Sequence, residues 1–126
     1  NVKDYIFINM FKFVAALAAG ALLSIGSAVQ AAPFSALASW YGPGFHGRTT
    51  ANGEVYNQWG LTTAHKSLPF GTVVRVTNPR TGASVVVRVN DRGPFIGPRE
   101  FDLSRGAADI VGLTGPGVAT LQFEIL

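Results

Sequence analysis

The sequence predicts a small all-β domain, a compact barrel carrying one short helix. Three observations point that way. The segments "TVVRVTN" (72–78) and "ASVVVRVN" (83–90) are rich in Val and Thr, residues that suit a pleated, half-buried surface. They flank "PRTG", which puts Pro79 and Gly82 where a β-turn favours them. Fifteen glycines and seven prolines break the rest of the chain into segments too short for long helices, and one of these segments has helical composition. Periodicity alone does not choose among barrel topologies.

Taken in order, residues 10–31 read "MFKFVAALAAGALLSIGSAVQA". A Met, a Lys, an apolar run from Phe13 to Ile25 and small residues up to Ala31 form the pattern of a secretory signal peptide cleaved after Ala31. The run is shorter than the roughly 20 apolar residues of a membrane span; an uncleaved anchor is the alternative. Residues 1–9 precede the start at Met10 and are set aside. One domain is therefore expected at 32–126, exported to the periplasm or secreted. Within it, "ALASWY" (36–41) alternates and predicts a strand. "GPGFHGRTTANGE" (42–54), with four glycines and a proline, reads as a loop. Residues 60–71 hold one short strand and a turn, and 72–90 form a hairpin. "LSRGAADIVGL" (103–113) predicts a short helix with Ser104 as N-cap. "GVATLQFEIL" (117–126) alternates again and closes the domain as a strand.

Eight basic and six acidic residues fall in 32–126, a surplus of +2. That suits a polyanionic envelope. Basic runs and the aromatic–basic interleaving of single-strand binders are absent, so nucleic acid is not an expected partner. The chain has no cysteine, which excludes thiol catalysis, cysteine metal sites and lipid attachment beside the cleavage site. A stable membrane anchor is therefore not expected, and packing must replace the disulfides common in small exported domains. His46 and His65 stand nineteen residues apart, a weak zinc pattern; neither a metal nor a cofactor is expected.

The candidate chemistry centres on "VNDRGPF" (89–95). Side chains alternate along a strand, so Val85, Val87 and Val89 share the core face, and Asp91 has their parity. A regular strand would seat its carboxyl at the rim of the core, with Arg92 turned the opposite way. Desolvation there disfavours the anion, which is what a general acid needs near neutral pH. The plainer role is a turn residue capping backbone N–H groups. Asp109 falls in the helix, Glu124 in the last strand and Glu100 beside Arg99, leaving Glu54, Asp91 and Asp102 near loops or element ends. The plain role of Asp102 is favourable charge at the helix N-terminus. His65 either packs in the core or orients a catalytic carboxyl.

Four blocks, "ASWYGPGFHGRTTANGEVYN", "LTTAHKSLPFGTVVRVTN", "SVVVRVNDRGPF" and "FDLS", together resemble the rare lipoprotein A family, septal-ring lytic transglycosylases of the bacterial envelope, over residues 36–126. The resemblance implies a six-stranded double-psi β-barrel with one or two short helices, related to the barrels of plant expansins and some endoglucanases. It implies cleavage of the MurNAc–GlcNAc β-1,4 bond in glycan strands stripped of stem peptides. The sugar's own C6 hydroxyl attacks in place of water and leaves a 1,6-anhydro-MurNAc end. The family's functional aspartate falls on Asp91, its histidine on His65 and the glutamate of "ANGE" on Glu54. Asp102, in "FDLS", matches the groove aspartate of expansin-like and endoglucanase barrels.

An ordinary glycosidase needs two carboxyl groups, whereas a lytic enzyme can manage with one. The expectation is that Asp91 protonates the leaving oxygen and then, as a carboxylate, takes the C6 proton, while His65 orients it or tunes its pKa. Asp102 and Glu54 are expected to bind sugar hydroxyls or stabilise positive charge on the ring, with Arg92 in a supporting role. Tyr41 and Tyr56, and Trp40 beside them, are candidates for stacking on sugar faces or plain barrel packing. Peptidoglycan glycan strands are the expected partner, met by a monomer. Many members also carry a C-terminal peptidoglycan-binding domain; here the sequence stops at Leu126, straight after the barrel, and weak substrate affinity is expected. The alternatives are a non-catalytic expansin-like glycan-binding or wall-loosening module and a cellulase-like hydrolase that pairs Asp91 with Asp102.

Overall fold

The computed structural model describes residues 32–126; the signal peptide expected at Met10–Ala31 lies outside the described residues. Six strands, β1 (Phe34–Trp40), β2 (Thr62–His65), β3 (Val73–Thr77), β4 (Ser84–Asp91), β5 (Phe101–Leu103) and β6 (Val118–Ile125), surround one core, with helix α1 (Arg105–Val111) between the last two. They close in the order β1-β5-β2-β4-β3-β6. β6 returns to β1 in antiparallel pairing from Phe34↔Phe123 to Ser39↔Val118, so no strand edge among them is left open. The pairs β1–β5 and β2–β4 are parallel.

The expected hairpin is present. β3 and β4 pair antiparallel from Val73↔Arg88 to Thr77↔Ser84, and Gly82 in the turn takes φ 79°, a region open to glycine at little cost. Alternation buries Val74, Val76, Val85, Val87, Val89, Leu121 and Phe123. Phe101 lies flat on Phe123, with centroids 3.9 Å apart and planes 8° apart, and Phe34 flanks both rings.

The expected helix is also present. Ser104 caps it, its hydroxyl accepting from Ala107 N and donating to Gly60 O at 2.6 Å. Gly112 ends it in the left-handed conformation. Gly106 in its first turn lies against the chain at Trp59–Gly60. Gly106 N donates to Gln58 O at 2.7 Å, and a Cβ there would stand 2.6 Å from Trp59 O. Gly106→Ala is therefore expected to cost about 1–3 kcal/mol through overpacking, read as a lower melting temperature. Gly44→Ala, with nothing within 4 Å of its Cβ position, is the matched control.

Two local features differ from the sequence reading. β5 is three residues long, too short for alternation to register, so Asp102 lies on a strand rather than in the helix cap. The second is a bulge. Thr63 pairs with Val89, but the next β2 residue, Ala64, pairs with Asp91. Asn90 is thus one residue extra, and one extra residue reverses which face follows. Asp91 leaves the face of Val85, Val87 and Val89 and joins the opposite one. Pairing then runs Asp91↔Ala64, Ala64↔Asp102 and Asp102↔Ser39, a single row across four strands. The row behind it, Val89, Thr63 and Leu103, is fully buried, so the acidic row stands on the outside of the barrel wall.

Candidate functional site

The segment from Gly42 to Gly60 folds over this outer row. It opens with a 3₁₀ turn at Pro43–Phe45, doubles back through a bridge between Thr49 and Val55, and is tied down at several points. Asn52 N donates to Asn90 O at 3.3 Å, and Ala51 N donates to Asp91 Oδ1 at 2.9 Å. Glu54 receives both Arg88 Nη atoms at 2.9 Å and Asn90 Nδ2 at 3.0 Å. The bulge residue Asn90, buried, is thus a post for the covering segment. Hydrogen bonds from Arg88 and Asn90 hold the Glu54 carboxyl below its usual range. Both Glu54 oxygens are engaged, so it braces the loop where a sugar-binding role was expected.

Asp91 and Asp102 are half-buried, two strand steps apart with only the Ala64 methyl between them. Two steps correspond to about 9.5 Å between their Cα atoms. Asp91 Oδ1 accepts from Ala51 N and from Arg92 N, each at 2.9 Å. Asp102 Oδ1 accepts from the Ser39 hydroxyl at 3.1 Å. Burial pushes the Asp102 carboxyl up to about 6; the charge of Asp91 adds to this, while Ser39 and Arg99 oppose it.

Of the two roles open to Tyr41 and Tyr56, the geometry is that of packing. Tyr41 is 7% and Tyr56 1% exposed, stacked at 4.2 Å, so neither offers a face to a sugar. The Tyr41 hydroxyl is buried without a hydrogen-bond partner among the described residues. Burial, then the charge of Asp91, Tyr56 and Asp102, raises its ionisation far above the usual tyrosine value; nearby Thr62 draws it back but does not reach hydrogen-bonding geometry. The exposed rings lie elsewhere, at Phe45, Trp59, Phe70 and Phe95, and sequence reasoning missed them. Arg48, Arg105 and Arg92 sit over the first three at 5.5, 5.0 and 3.8 Å. Their sequence signal is an aromatic beside Gly or Pro in a loop, where no strand alternation buries it.

His65 ends β2 with its ring buried, 4.7 Å from Phe101. Nδ1 accepts from Ser67 N and Leu68 N, each at 3.0 Å, which leaves the neutral ring's proton on Nε2. Burial first, then the charges of Arg92 and Lys66, brings its pKa from 6.5 to about 4. No hydrogen bond joins His65 to Asp91 among the described residues. The link runs through Arg92, whose Nη1 donates to Leu68 O at 2.8 Å and His65 O at 3.3 Å. Arg92 therefore ties the His65 turn to the end of β4, and its guanidinium is occupied by those carbonyls and by Phe70. Among the described residues no three His, Asp or Glu side chains cluster to hold an ion.

The shifts of His65 and Asp102 act on stability in opposite directions. Between pH 4 and 6.5 the unfolded chain holds more protons at His65, so that contribution is whole above 6.5 and lost as pH falls toward 4. At Asp102 the folded chain holds more, so its contribution is whole below 3.8 and lost as pH rises through about 6. Glu54 acts only below its usual 4.5. Between about pH 4.5 and 6 these two groups are expected to offset each other. Relative to wild type, the urea midpoint of Asp102→Asn should rise with pH there and that of His65→Gln should fall.

A closed six-stranded barrel with two parallel strand pairs in this order is a double-psi β-barrel, here with two aspartates on its outer wall. Solved structures share the fold. The Streptomyces papain inhibitor superposes with TM-score 0.62 at 18% identity, covering 77% of this chain and 96% of its own. An expansin of Clavibacter michiganensis gives 0.60 at 23% identity, covering 75% of this chain and 50% of its own. The lytic transglycolase family matches residues 34–123, and the chain belongs to it. A probable endolytic peptidoglycan transglycosylase RlpA of Synechocystis is 62% identical over 90 residues, 71% of this chain and 28% of that protein. The endolytic peptidoglycan transglycosylase RlpA of Campylobacter jejuni is 53% identical over 90 residues, 71% and 33%. That of Pseudomonas aeruginosa is 55% identical over 87 residues, 69% and 26%. The chain thus spans about a third or less of the length of these relatives.

Proposed function

We propose that this barrel is an endolytic peptidoglycan transglycosylase domain, acting outside the cytoplasm, in the periplasm or after secretion. Its substrate is the MurNAc–GlcNAc β-1,4 bond of peptide-poor glycan strands, and its product is a 1,6-anhydro-MurNAc end. The observation that carries the reading is the row Asp91, Ala64, Asp102 and Ser39 on one face of the barrel wall, in a chain of the lytic transglycolase family. Two partly exposed carboxyls stand two strand steps apart on that face with the Ala64 methyl between them, and a sugar bond bound there would lie across both.

In this reading Asp91 removes the proton from the C6 hydroxyl. Its Oδ1 is fixed by two backbone N–H groups, and Oδ2, with no hydrogen bond among the described residues, takes that proton. His65 is a positioning residue. With Arg92 it sets the turn at 65–68 and hence the end of β4 from which Asp91 projects. The protein is expected to work as a monomer and without a cofactor.

The test is digestion of purified peptide-free glycan strands by the 126-residue chain, followed by mass spectrometry. Anhydro ends are the expected product. Reducing ends would mean a hydrolase, and intact strands that co-sediment with the protein would mean a glycan-binding module of the expansin kind.

A further inference from the structure

We propose that Asp102, and not Asp91, delivers the proton to the leaving oxygen, and that Asp91 serves as the base alone. This rests on the lytic reading and divides its two proton transfers between two groups. The donors around the carboxyls differ in kind. Asp91 Oδ1 receives two backbone N–H groups, which can only donate, so this oxygen serves as an acceptor. Asp102 receives the Ser39 hydroxyl, which can rotate and accept instead, so the site accommodates Asp102 in its protonated form.

The groups facing Asp102 are Ser39, Arg99, Asp91, Tyr41 and Tyr56. Arg99 alone is cationic, and burial with the Asp91 charge outweighs it, leaving the carboxyl at about 6. The Tyr41 hydroxyl supplies a second observation. It is buried, it lacks a partner among the described residues, and it feels the charge of both aspartates.

The product's geometry requires acid and base on the same side of the sugar. A β-linked leaving oxygen and the O6 of a 1,6-anhydro ring occupy the same face of the pyranose. Asp91 and Asp102 meet this condition because the bulge at Asn90 brings both to one face of the sheet. In the step, the Asp102 proton moves to the glycosidic oxygen as the C1–O bond breaks. O6 then bonds to C1, and its proton passes to Asp91. No water is consumed, and exchange with solvent restores both carboxyls.

Two substrates separate the roles. Glycan strands leave as an alcohol that must be protonated; a 4-methylumbelliferyl β-glycoside of a MurNAc-containing oligosaccharide leaves as a phenolate that need not be. Asp102→Asn is expected to slow strand cleavage by about 100-fold or more, to slow aryl release by less than about tenfold, and to remove the fall in kcat/KM above about pH 6. Asp91→Asn is expected to slow both substrates. Equal losses on both substrates from Asp102→Asn, or an unchanged alkaline limb, would overturn the assignment and leave the lytic reading standing. A wild-type chain that forms no anhydro product from either substrate would overturn both. Carbon-13 titration of the wild-type carboxyls needs no variant: Asp102 should titrate near pH 6, and a value at the ordinary 3.8 would also overturn the assignment.

Discussion

Asp91→Asn is expected to slow the release of anhydro ends from glycan strands by about 100- to 10,000-fold, the range over which a positioned acid or base contributes, with little change in melting temperature. The two halves of this expectation separate chemistry from structure. Asp91 Oδ1 accepts from Ala51 N and Arg92 N, and an amide oxygen can accept both. The covering segment therefore stays pinned, while the group proposed to take the C6 proton is gone. Product release measured by mass spectrometry, alongside a thermal melt of the same sample, reads both. A large fall in melting temperature accompanying the lost activity would show that Asp91 holds the loop and that chemistry is carried elsewhere.

Phe101→Ala is expected to have the largest effect on stability, about 3–5 kcal/mol. Phe101 is fully buried, stacked on Phe123 at 3.9 Å and in contact with the His65 ring at 4.7 Å. β5 has three residues, and Phe101 and Leu103 are the two of them whose side chains are buried in the core, on either side of Asp102. A loss of that size is a substantial part of the 5–15 kcal/mol total stability common for a domain. It should lower the melting temperature by about 12 °C or more. Phe95→Ala, at a ring 77% exposed, should change stability by no more than about 0.5 kcal/mol.

What the sequence revealed and what it hid divide along a physical line. The hairpin was legible because "TVVRVTN", "PRTG" and "ASVVVRVN" each carry a local signal, and the helix because Ser104 precedes "RGAADIV" and Gly112 follows. β5 was not legible, since three residues hold no period and the strand exists only through its neighbours β1 and β2. The bulge at Asn90 was hidden for the same reason. Nothing in "VVVRVND" shows that Ala64, 27 positions upstream of Asp91, will skip a residue. Parity consequently put Asp91 on the core face, and the pairing puts it on the other.

Among the site residues, the sequence marked Asp91, Asp102, Glu54 and His65 as the ones worth attention. It did not show that Glu54 is engaged by Arg88 and Asn90 or that Arg92 is committed to backbone carbonyls. Burial of Tyr41 and Tyr56 was one of two roles left open, and alternation could not choose between them, because neither residue lies in a regular strand. The row of Asp91, Ala64, Asp102 and Ser39 joins four strands far apart in the chain, so only the closed barrel reveals it.

The most direct test of the lytic reading is strand cleavage by the 126-residue chain in water enriched in oxygen-18. Attack by the C6 hydroxyl should give 1,6-anhydro-MurNAc ends that carry no oxygen-18, each lighter by one water than a reducing end. Reducing ends labelled with oxygen-18 would show that water is the nucleophile and would contradict the account.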